Sequence, residues 1–390
     1  ANIGRTILEG GTPFVDMWDI KPPPIYYIYA AGMALFGETT AGIRAIDFVA
    51  VPIGMLGLFL FGQLLSGRKT ALWASLIYGV FYFTESFASL TQNDTLVTIP
   101  MIWAAYFSLR STSYDKNSPA AIQDALITGL LCGVILWFKH YNAFFVLAMV
   151  LYQLFARRSF AIREAIGFVI GGLITGGSLL LFFASQGMVQ EMLIIAEGTS
   201  AYNAQGYQFE RFLGAMGNYL AFRWQHWGVM VMLVALWLPL IITGRPRSSI
   251  HPINNDVRTQ HAASLQWWLV VLWLMAGIAF VMIQSLGFDT HWIPMLPPLA
   301  LIAGDSLARL LAYMPQKTLK SALMGVCIIG FLSIIAFSTW RRALPYYLGQ
   351  ETQTEFFARF QGNDFKPEES LQVVEYLQER IAPGDTIYVW

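Results

Sequence analysis

The stretch GGTPFVDMWDIKPPPIYYIYAAG, residues 10–32, joins a charged, proline-rich segment directly to an apolar run. That run spans residues 25–37, which is too short to cross a bilayer because a membrane-spanning helix needs about 20 residues. Proline is tolerated in a first helical turn, and the tyrosines that open the run suit the membrane interface. The stretch therefore predicts a helix along the membrane surface, entered through a rigid loop that carries Lys21.

The composition of the chain predicts a membrane protein. Of its 390 residues, 56% are hydrophobic and only 12% are charged, whereas an average soluble domain carries about 25% charged residues. Aromatic residues make up 15%, in keeping with belts of Trp and Tyr at membrane interfaces. The net charge is zero, so the overall charge favours no nucleic-acid partner. We predict an all-α polytopic membrane protein that does not bind nucleic acid.

Apolar runs of membrane-spanning length recur from residue 42 onward. A longer apolar region, residues 122–156, is interrupted by KHYN at 139–142 and predicts two short helices that meet at a polar turn. Together the runs predict about ten transmembrane helices. The remaining runs lie near 42–65, 71–90, 95–109, 164–184, 227–244, 265–284, 292–313 and 320–339.

The predicted spans divide the chain into three regions. Residues 1–41 form an outer loop with the interfacial helix, residues 42–340 a transmembrane domain, and residues 341–390 the start of an outer soluble α/β region. The final APGDTIYVW is typical of a turn followed by the opening of a β-strand. Because the chain begins at Ala1 and stops at that strand, we expect a fragment of a longer protein.

The loops between the spans predict the orientation. If ten spans alternate, the short loops on one side hold 13 of the 24 Lys and Arg residues. By the positive-inside rule that side is cytoplasmic. The opposite connections are longer and rich in Asp, His, Trp and Tyr, and functional residues concentrate in such loops on a rigid scaffold. We predict a multi-pass protein of the cell (inner) membrane with its active site on the periplasmic or extracellular face.

Polar residues where the spans reach the outer face are the candidates for chemistry. Lys21 is placed to bind a lipid phosphate as a point charge, although it also suits an interfacial anchor. Arg44 can share that phosphate or pair with Asp47 across one helical turn. Asp94 can assist deprotonation of an acceptor or simply cap the helix that follows it.

Two later segments repeat this pattern of charge and aromatic rings. His291 and Trp292 precede a proline-rich span, and YLAFRWQHW at 219–227 contains Arg223 and His226. Arg offers a fork that matches a phosphate, His291 can bind the donor phosphate or sugar hydroxyls, and Trp292 and His226 suit sugar or acceptor binding. An interfacial belt explains the same residues. Lys139 in the KHYN turn is a further candidate for sugar or acceptor binding. Metal-ligand spacing is absent, so neither metal nor cofactor is predicted.

Taken in order, these motifs resemble the GT-C membrane glycosyltransferases, the superfamily of dolichyl-phosphate-mannose protein mannosyltransferases and aminoarabinose transferases. The resemblance covers nearly the whole chain, and its opening, with Lys-Pro-Pro followed by Tyr, Leu-Phe-Gly and Arg, is the most specific part. It rests on IGRTILEGGTPFVDMWDIKPPPIYYIYAAGMALFG (3–37), AGIRAID (41–47), TQNDTL (91–96), FKHYNAFF (138–145), HWIPMLPPLALIAG (291–304) and APGDTIYVW (382–390).

The resemblance implies a role for each matching residue. Lys21 would contact the lipid phosphate, and Asp94 matches an acidic position that assists catalysis or acceptor placement. His291 matches a polar position before the late proline-rich span, while Arg223 and His226 lie in a loop that supplies phosphate-binding residues in relatives.

Two departures from the family pattern bear on the catalytic residues. The family's principal catalytic acid lies just upstream of the equivalent of IGRTI, whereas this sequence begins at Ala1. Aminoarabinose transferases often carry Glu directly before the Lys-Pro-Pro lysine, but Ile20 stands here. This argues against that branch and leaves Asp19, the carboxylate closest to Lys21 in sequence, as a catalytic candidate beside Asp94.

The resemblance implies an inverting transferase that moves a monosaccharide from a polyprenyl phosphate to a protein, lipid or glycan acceptor. Neither the sugar nor the acceptor follows from the sequence. Two alternatives remain open: a multi-span transporter, for which KHYN would be a broken helix at a substrate site, and a non-catalytic membrane subunit of a larger complex.

Overall fold

The computed structural model describes residues 2–85, 89–157, 161–206, 209–243, 257–284, 288–314, 316–342, 344–358 and 367–382. Within these ranges every regular element is helical, and the only β-type pairing is an isolated bridge between Pro13 and Met17. The strand predicted at the carboxyl end lies outside the described residues. Two compact units can be separated, one of residues 1–85 and 89–320 and the other of residues 86–88 and 321–390.

The first unit contains thirteen α-helices and two 3₁₀ segments within its described ranges. The helices are α1 (Asn2–Leu8), α2 (Pro24–Phe36), α3 (Thr40–Ser66), α4 (Arg68–Phe83), α5 (Asn93–Leu96), α6 (Thr98–Ser111), α7 (Pro119–Phe138), α8 (Ala143–Arg157), α9 (Ile162–Ser185), α10 (Met188–Gly206), α11 (Phe209–Thr243), α12 (Val257–Gln284) and α13 (Leu296–Tyr313). The 3₁₀ segments are His140–Asn142 and Asp289–Met295.

The helix α14 (Lys317–Arg342) begins at the end of the first unit and lies mostly in the second. The second unit also contains α15 (Leu344–Tyr347), α16 (Gln353–Ala358) and α17 (Pro367–Gln378). The predicted division into an outer loop, a transmembrane domain ending at residue 340 and an outer soluble region stays a prediction.

Seven helices among the described residues are long and apolar enough to cross a membrane. The all-α polytopic fold predicted from the sequence is confirmed. Helix α4, with 16 residues, is shorter than the span predicted at 71–90, whereas α6 and α8, with 14 and 15 residues, are about as short as predicted. At 1.5 Å per residue they are shorter than the roughly 30 Å of a bilayer's hydrocarbon core. The cause is that the helices end at residues 84–85 and 139–142, where polar residues interrupt the apolar pattern.

The surface helix predicted from the opening stretch is α2, which has 13 residues and begins at Pro24. Its side chains at Ile25, Tyr26 and Tyr29 are buried. The helix ends at Gly37, whose amide donates to the carbonyl of Met33 and whose φ of +98° glycine adopts without steric cost.

One buried carboxylate, that of Asp305, connects several helices at one end of the first unit. At the end that carries the basic loops, the buried carboxylate of Asp305 accepts hydrogen bonds from Ser66, Thr70, Trp237 and Arg309 at 2.7–3.0 Å. These partners come from α3, α4, α11 and α13, so one carboxylate ties four helices together. The candidate site residues lie at the opposite end of the helices of the first unit.

The closest helix contact in the first unit is between α7 and α9. A Cβ added to Gly129 would overlap the carbonyl oxygen of Phe168, and one added to Gly171 would overlap that of Leu126. Small residues allow such close approach in membrane proteins, where dispersion and interhelical hydrogen bonds replace the hydrophobic effect. The indole of Trp137 adds one such bond to the carbonyl oxygen of Gly176, at 3.2 Å.

We predict that Gly129→Ala destabilises the protein by about 1–3 kcal/mol, because overpacking forces the two backbones apart. The thermal unfolding midpoint in detergent should fall. The matched control is Gly177→Ala on α9, where an added Cβ has no neighbour within 4 Å. Equal midpoints for the two variants would contradict the account of this contact.

Candidate functional site

Three predicted site residues, Asp94, Lys139 and His291, converge where three helix pairs break. Asp94 lies in the short helix α5, Lys139 between α7 and the first 3₁₀ segment, and His291 in the second 3₁₀ segment. The Lys139 ammonium donates to both carboxylate oxygens of Asp94, at 3.0 and 3.2 Å. Nε2 of His291 lies 3.9 Å from one of those oxygens.

The imidazole of His291 is buried but keeps one nitrogen without a partner. Its Nδ1 forms no hydrogen bond, while the rings of Phe280 and Phe288 pack against it edge to face at centroid distances of 6.2 and 5.4 Å. The Lys139 ammonium also lies 5.3 Å from the centre of the Phe280 ring. An unpaired buried nitrogen is costly, which favours a ligand at this position.

Lys21 joins this cluster through Gln92, two residues before Asp94. The Lys21 ammonium donates to the Gln92 side-chain oxygen at 2.9 Å, and the backbone amide of Lys21 donates to the Tyr26 hydroxyl at 3.1 Å. Burial lowers the pKa of Lys21 from its usual value, against the opposing influence of Asp19 and Asp94. Desolvation disfavours the charged form of an ammonium, so an anion bound beside Lys21 would stabilise its charged form.

Thr91 holds the Gln92–Asp94 segment in place. It has a φ of +52°, which is uncommon for a β-branched residue. The Tyr29 hydroxyl donates to its carbonyl at 2.8 Å, and the Thr91 hydroxyl donates to Asp47 at 2.6 Å. Arg44 donates to the carbonyl of Leu90 and lies 3.3 Å from the Thr91 hydroxyl. Such a conformation persists only where its surroundings determine it.

Arg44 therefore supports the loop before Asp94 in this structure. Its proposed pairing with Asp47 is indirect, since both side chains meet at Thr91 and the Tyr82 hydroxyl donates to Asp47 at 2.9 Å. A phosphate-binding role for Arg44 stays a prediction.

Arg223 is engaged in a second buried cluster. Its guanidinium donates to Glu85 at 2.7 Å and to the backbone carbonyl of Asp289 at 2.5 Å, and it stacks 4.6 Å from the Trp227 ring. The Trp227 indole donates to the same Glu85 oxygen at 2.7 Å. The side chains of Arg223 and Glu85 are only 4% and 2% exposed. This pair fixes α11 to the turn after α4 and to the segment that carries His291.

The other predicted residues lie around these clusters. Asp19 is half-buried, and its carboxylate accepts from the amide of Ile20 at 2.7 Å. Trp292 is buried, whereas His226, which directly precedes Trp227 on α11, is half-buried. Their roles in catalysis or in sugar and acceptor binding stay predictions.

Sequence reasoning missed Glu85 and Gln92. Glu85 stands where the apolar run of residues 71–90 meets its outer end, and a buried carboxylate at such a position signals a cationic partner. Gln92 lies beside Asp94 in TQND, but no local pattern links it to Lys21, which is 71 positions away.

The site combines two ammonium groups, one carboxylate and one open imidazole nitrogen in a largely buried setting. The ammonium groups can hold an anion, and the carboxylate and imidazole can accept protons. Across the described ranges, no three His, Cys, Asp or Glu side chains come together in a way that would hold a metal ion. The chemical capacity of the site is therefore anion binding with proton transfer beside it.

Comparison with known proteins supports the resemblance read from the motifs. Residues 20–183 match the family model described as dolichyl-phosphate-mannose-protein mannosyltransferase. This range contains Lys21, Arg44, Asp94 and Lys139, so four of the nine candidate residues lie in the matched segment.

Curated relatives match over a longer part of the chain. An undecaprenyl phosphate-alpha-4-amino-4-deoxy-L-arabinose arabinosyl transferase from Pseudomonas aeruginosa (strain UCBPP-PA14) is 25% identical over 350 residues, covering 86% of this chain. Its counterpart from Pseudomonas savastanoi pv. phaseolicola (strain 1448A / Race 6) is 22% identical over 337 residues, covering 84%. The chain spans 58% of the length of each relative. These relatives are aminoarabinose transferases, the branch that the sequence analysis disfavoured because Ile20 precedes Lys21.

A solved structure supports the fold. The crystal structure of an oligosaccharyltransferase from Archaeoglobus fulgidus, in complex with zinc and sulfate, aligns with a TM-score of 0.50 at 10% identity. The alignment covers 86% of this chain and 48% of that one. Together with the family match, it confirms the predicted resemblance to the GT-C membrane glycosyltransferases.

We predict strong coupling between Arg223 and Glu85. Breaking a buried ion pair leaves an uncompensated charge and costs about 3–5 kcal/mol, so Arg223→Met and Glu85→Leu should each lower the unfolding free energy measured in detergent micelles. The double variant should recover part of the loss.

The control for this cycle is the exposed pair Arg5–Glu38, whose side chains are 54% and 56% exposed. An exposed pair contributes little, so its cycle should give a coupling close to zero. Additive losses at Arg223 and Glu85 would contradict their assignment as one structural unit.

Proposed function

We propose that this chain, which has the fold of the GT-C membrane glycosyltransferases, moves a monosaccharide from a polyprenyl phosphate to an acceptor on the outer side of the cell membrane. The observation that carries the proposal is the cluster in which Lys21 and Lys139 flank the buried carboxylate of Asp94, beside the open Nδ1 of His291. Undecaprenyl phosphate is the carrier in the names of the curated relatives, and we extend it to this chain.

Lys21 is the proposed ligand of the donor phosphate. Its side chain is half-buried, and its ammonium donates to the neutral amide oxygen of Gln92. A phosphate oxygen is a stronger acceptor for an ammonium than an amide is. By contrast, Lys139 is held by the Asp94 carboxylate, so its charge is balanced before any ligand binds.

The reaction is a single displacement at C1 of the sugar. A lone pair of the acceptor forms the new bond to C1, and the electrons of the C1–oxygen bond pass to the departing polyprenyl phosphate. The acceptor's proton passes to a carboxylate, for which Asp94 is the buried candidate in this cluster. Lys21 stabilises the negative charge that develops on the phosphate, and configuration at C1 inverts.

The orientation follows from the distribution of charge. The described basic residues Arg68, Arg110, Arg157 and Arg309 lie at the helix ends opposite to the Lys21 cluster. The positive-inside rule assigns their end to the cytoplasm, and the cluster then faces the periplasm. A polyprenyl-linked sugar that has crossed the membrane would reach it there.

The central test is Lys21→Ala in the full-length protein. Membranes that contain the wild type should release free undecaprenyl phosphate from one member of a panel of undecaprenyl-phosphate sugars. Loss of one charge-stabilising donor costs about 10²–10³-fold in rate. We therefore expect the release rate of the Lys21→Ala variant to be lower by that factor at equal protein level. Lys69→Ala, an exposed lysine at the opposite end, should retain full activity. Wild-type turnover by Lys21→Ala would exclude the phosphate role.

A further inference from the structure

The loop that leads to Lys21 exposes three large apolar side chains. Val15, Trp18 and Ile20, which we call the apolar rim, are 55%, 53% and 58% exposed. They occur within six residues and directly precede the proposed phosphate ligand. Loops usually carry polar residues at such positions because exposed apolar surface is unfavourable in water.

The backbone of this loop is fixed, so the exposure of the rim is not incidental. Phe14 has a φ of +67°, and its amide donates to the carbonyl of Met17 at 2.8 Å. The Phe14 ring is buried against Tyr26, with centroids 5.7 Å apart. The backbone strain at Phe14 persists because these contacts determine it, and the side chain of Val15 is left at the surface.

The two carboxylates of the same loop accept hydrogen bonds from its backbone. Asp16 accepts from the amide of Thr12 at 2.6 Å, and Asp19 accepts from the amide of Ile20 at 2.7 Å. Their carboxylates stabilise the turns of the loop, and the apolar side chains of Val15, Trp18 and Ile20 beside them remain exposed.

We propose that the apolar rim binds the isoprenoid chain of the donor lipid, next to the phosphate held by Lys21. The inference rests on the proposed function and adds a surface to it. Ile20 adjoins Lys21 in the chain, so the first isoprene units beyond a bound phosphate lie within reach of the rim. Burial of Trp and Ile side chains against hydrocarbon is favourable. The rim would therefore select a long apolar phosphate ester over a small soluble phosphate.

The test compares two probes, undecaprenyl phosphate and inorganic phosphate, binding to the full-length protein. The rim variant is Val15→Ser/Trp18→Ser/Ile20→Ser. The matched control is Leu35→Ser/Phe36→Ser, which removes two exposed apolar residues, 75% and 47% exposed, from the far end of α2. Dissociation constants are measured in detergent micelles and again in lipid nanodiscs.

We expect the rim variant to bind undecaprenyl phosphate about tenfold more weakly in both media, with unchanged affinity for inorganic phosphate. The control should bind both probes as the wild type does. Wild-type affinity of the rim variant for undecaprenyl phosphate would overturn the rim alone. If the rim variant loses affinity for undecaprenyl phosphate only in nanodiscs, the rim contacts the bulk bilayer and not the donor. If it loses affinity equally for both probes, the rim positions Lys21 and does not bind the isoprenoid chain.

Failure of the proposed function gives a different result. In that case the wild type itself would not bind undecaprenyl phosphate, and both proposals would fall together.

Discussion

The ion pair between Lys139 and Asp94 connects two of the places where the apolar helices are interrupted. Non-helical backbone within a membrane domain needs polar partners, because lipid offers none. Here the break between α4 and α6 supplies Asp94, and the break between α7 and α8 supplies Lys139. The break between α12 and α13 adds His291 at 3.9 Å from Asp94. The helices α4, α6 and α8 are short because each ends or begins at one of these polar segments, which meet in a single cluster.

The neighbouring cations differ in what holds them. Arg223 is committed to Glu85 and to the carbonyl of Asp289, and Arg44 to the segment around Thr91. Lys21 differs because its ammonium donates to the neutral amide oxygen of Gln92. A site arranged in this way holds its guanidinium groups in the scaffold and presents an ammonium to the ligand. The strained Thr91 connects the scaffold around Arg44 to the Lys21 ammonium, since Gln92, the partner of Lys21, directly follows Thr91 in the chain.

Much of the fold was accessible from the sequence because the hydrophobic effect sets it locally. Long apolar runs such as residues 42–65 and 164–184 predict α3 and α9 closely, and the short run after the prolines predicts α2. Span length was less predictable, since the helix breaks near Asp94 and Lys139 depend on partners distant in sequence. The convergence of Asp94, Lys139 and His291 on one face was predicted from loop parity. The bonds of Lys21 to Gln92 and of Arg223 to Glu85 were not, because they join residues 71 and 138 positions apart.

The most direct measurement is an experimental structure of the full-length protein in nanodiscs with undecaprenyl phosphate bound. The account predicts a phosphate oxygen about 3 Å from the Lys21 ammonium, with the isoprenoid chain leaving the site over Val15, Trp18 and Ile20. A lipid phosphate bound elsewhere, with Lys21 still donating to Gln92, would contradict it.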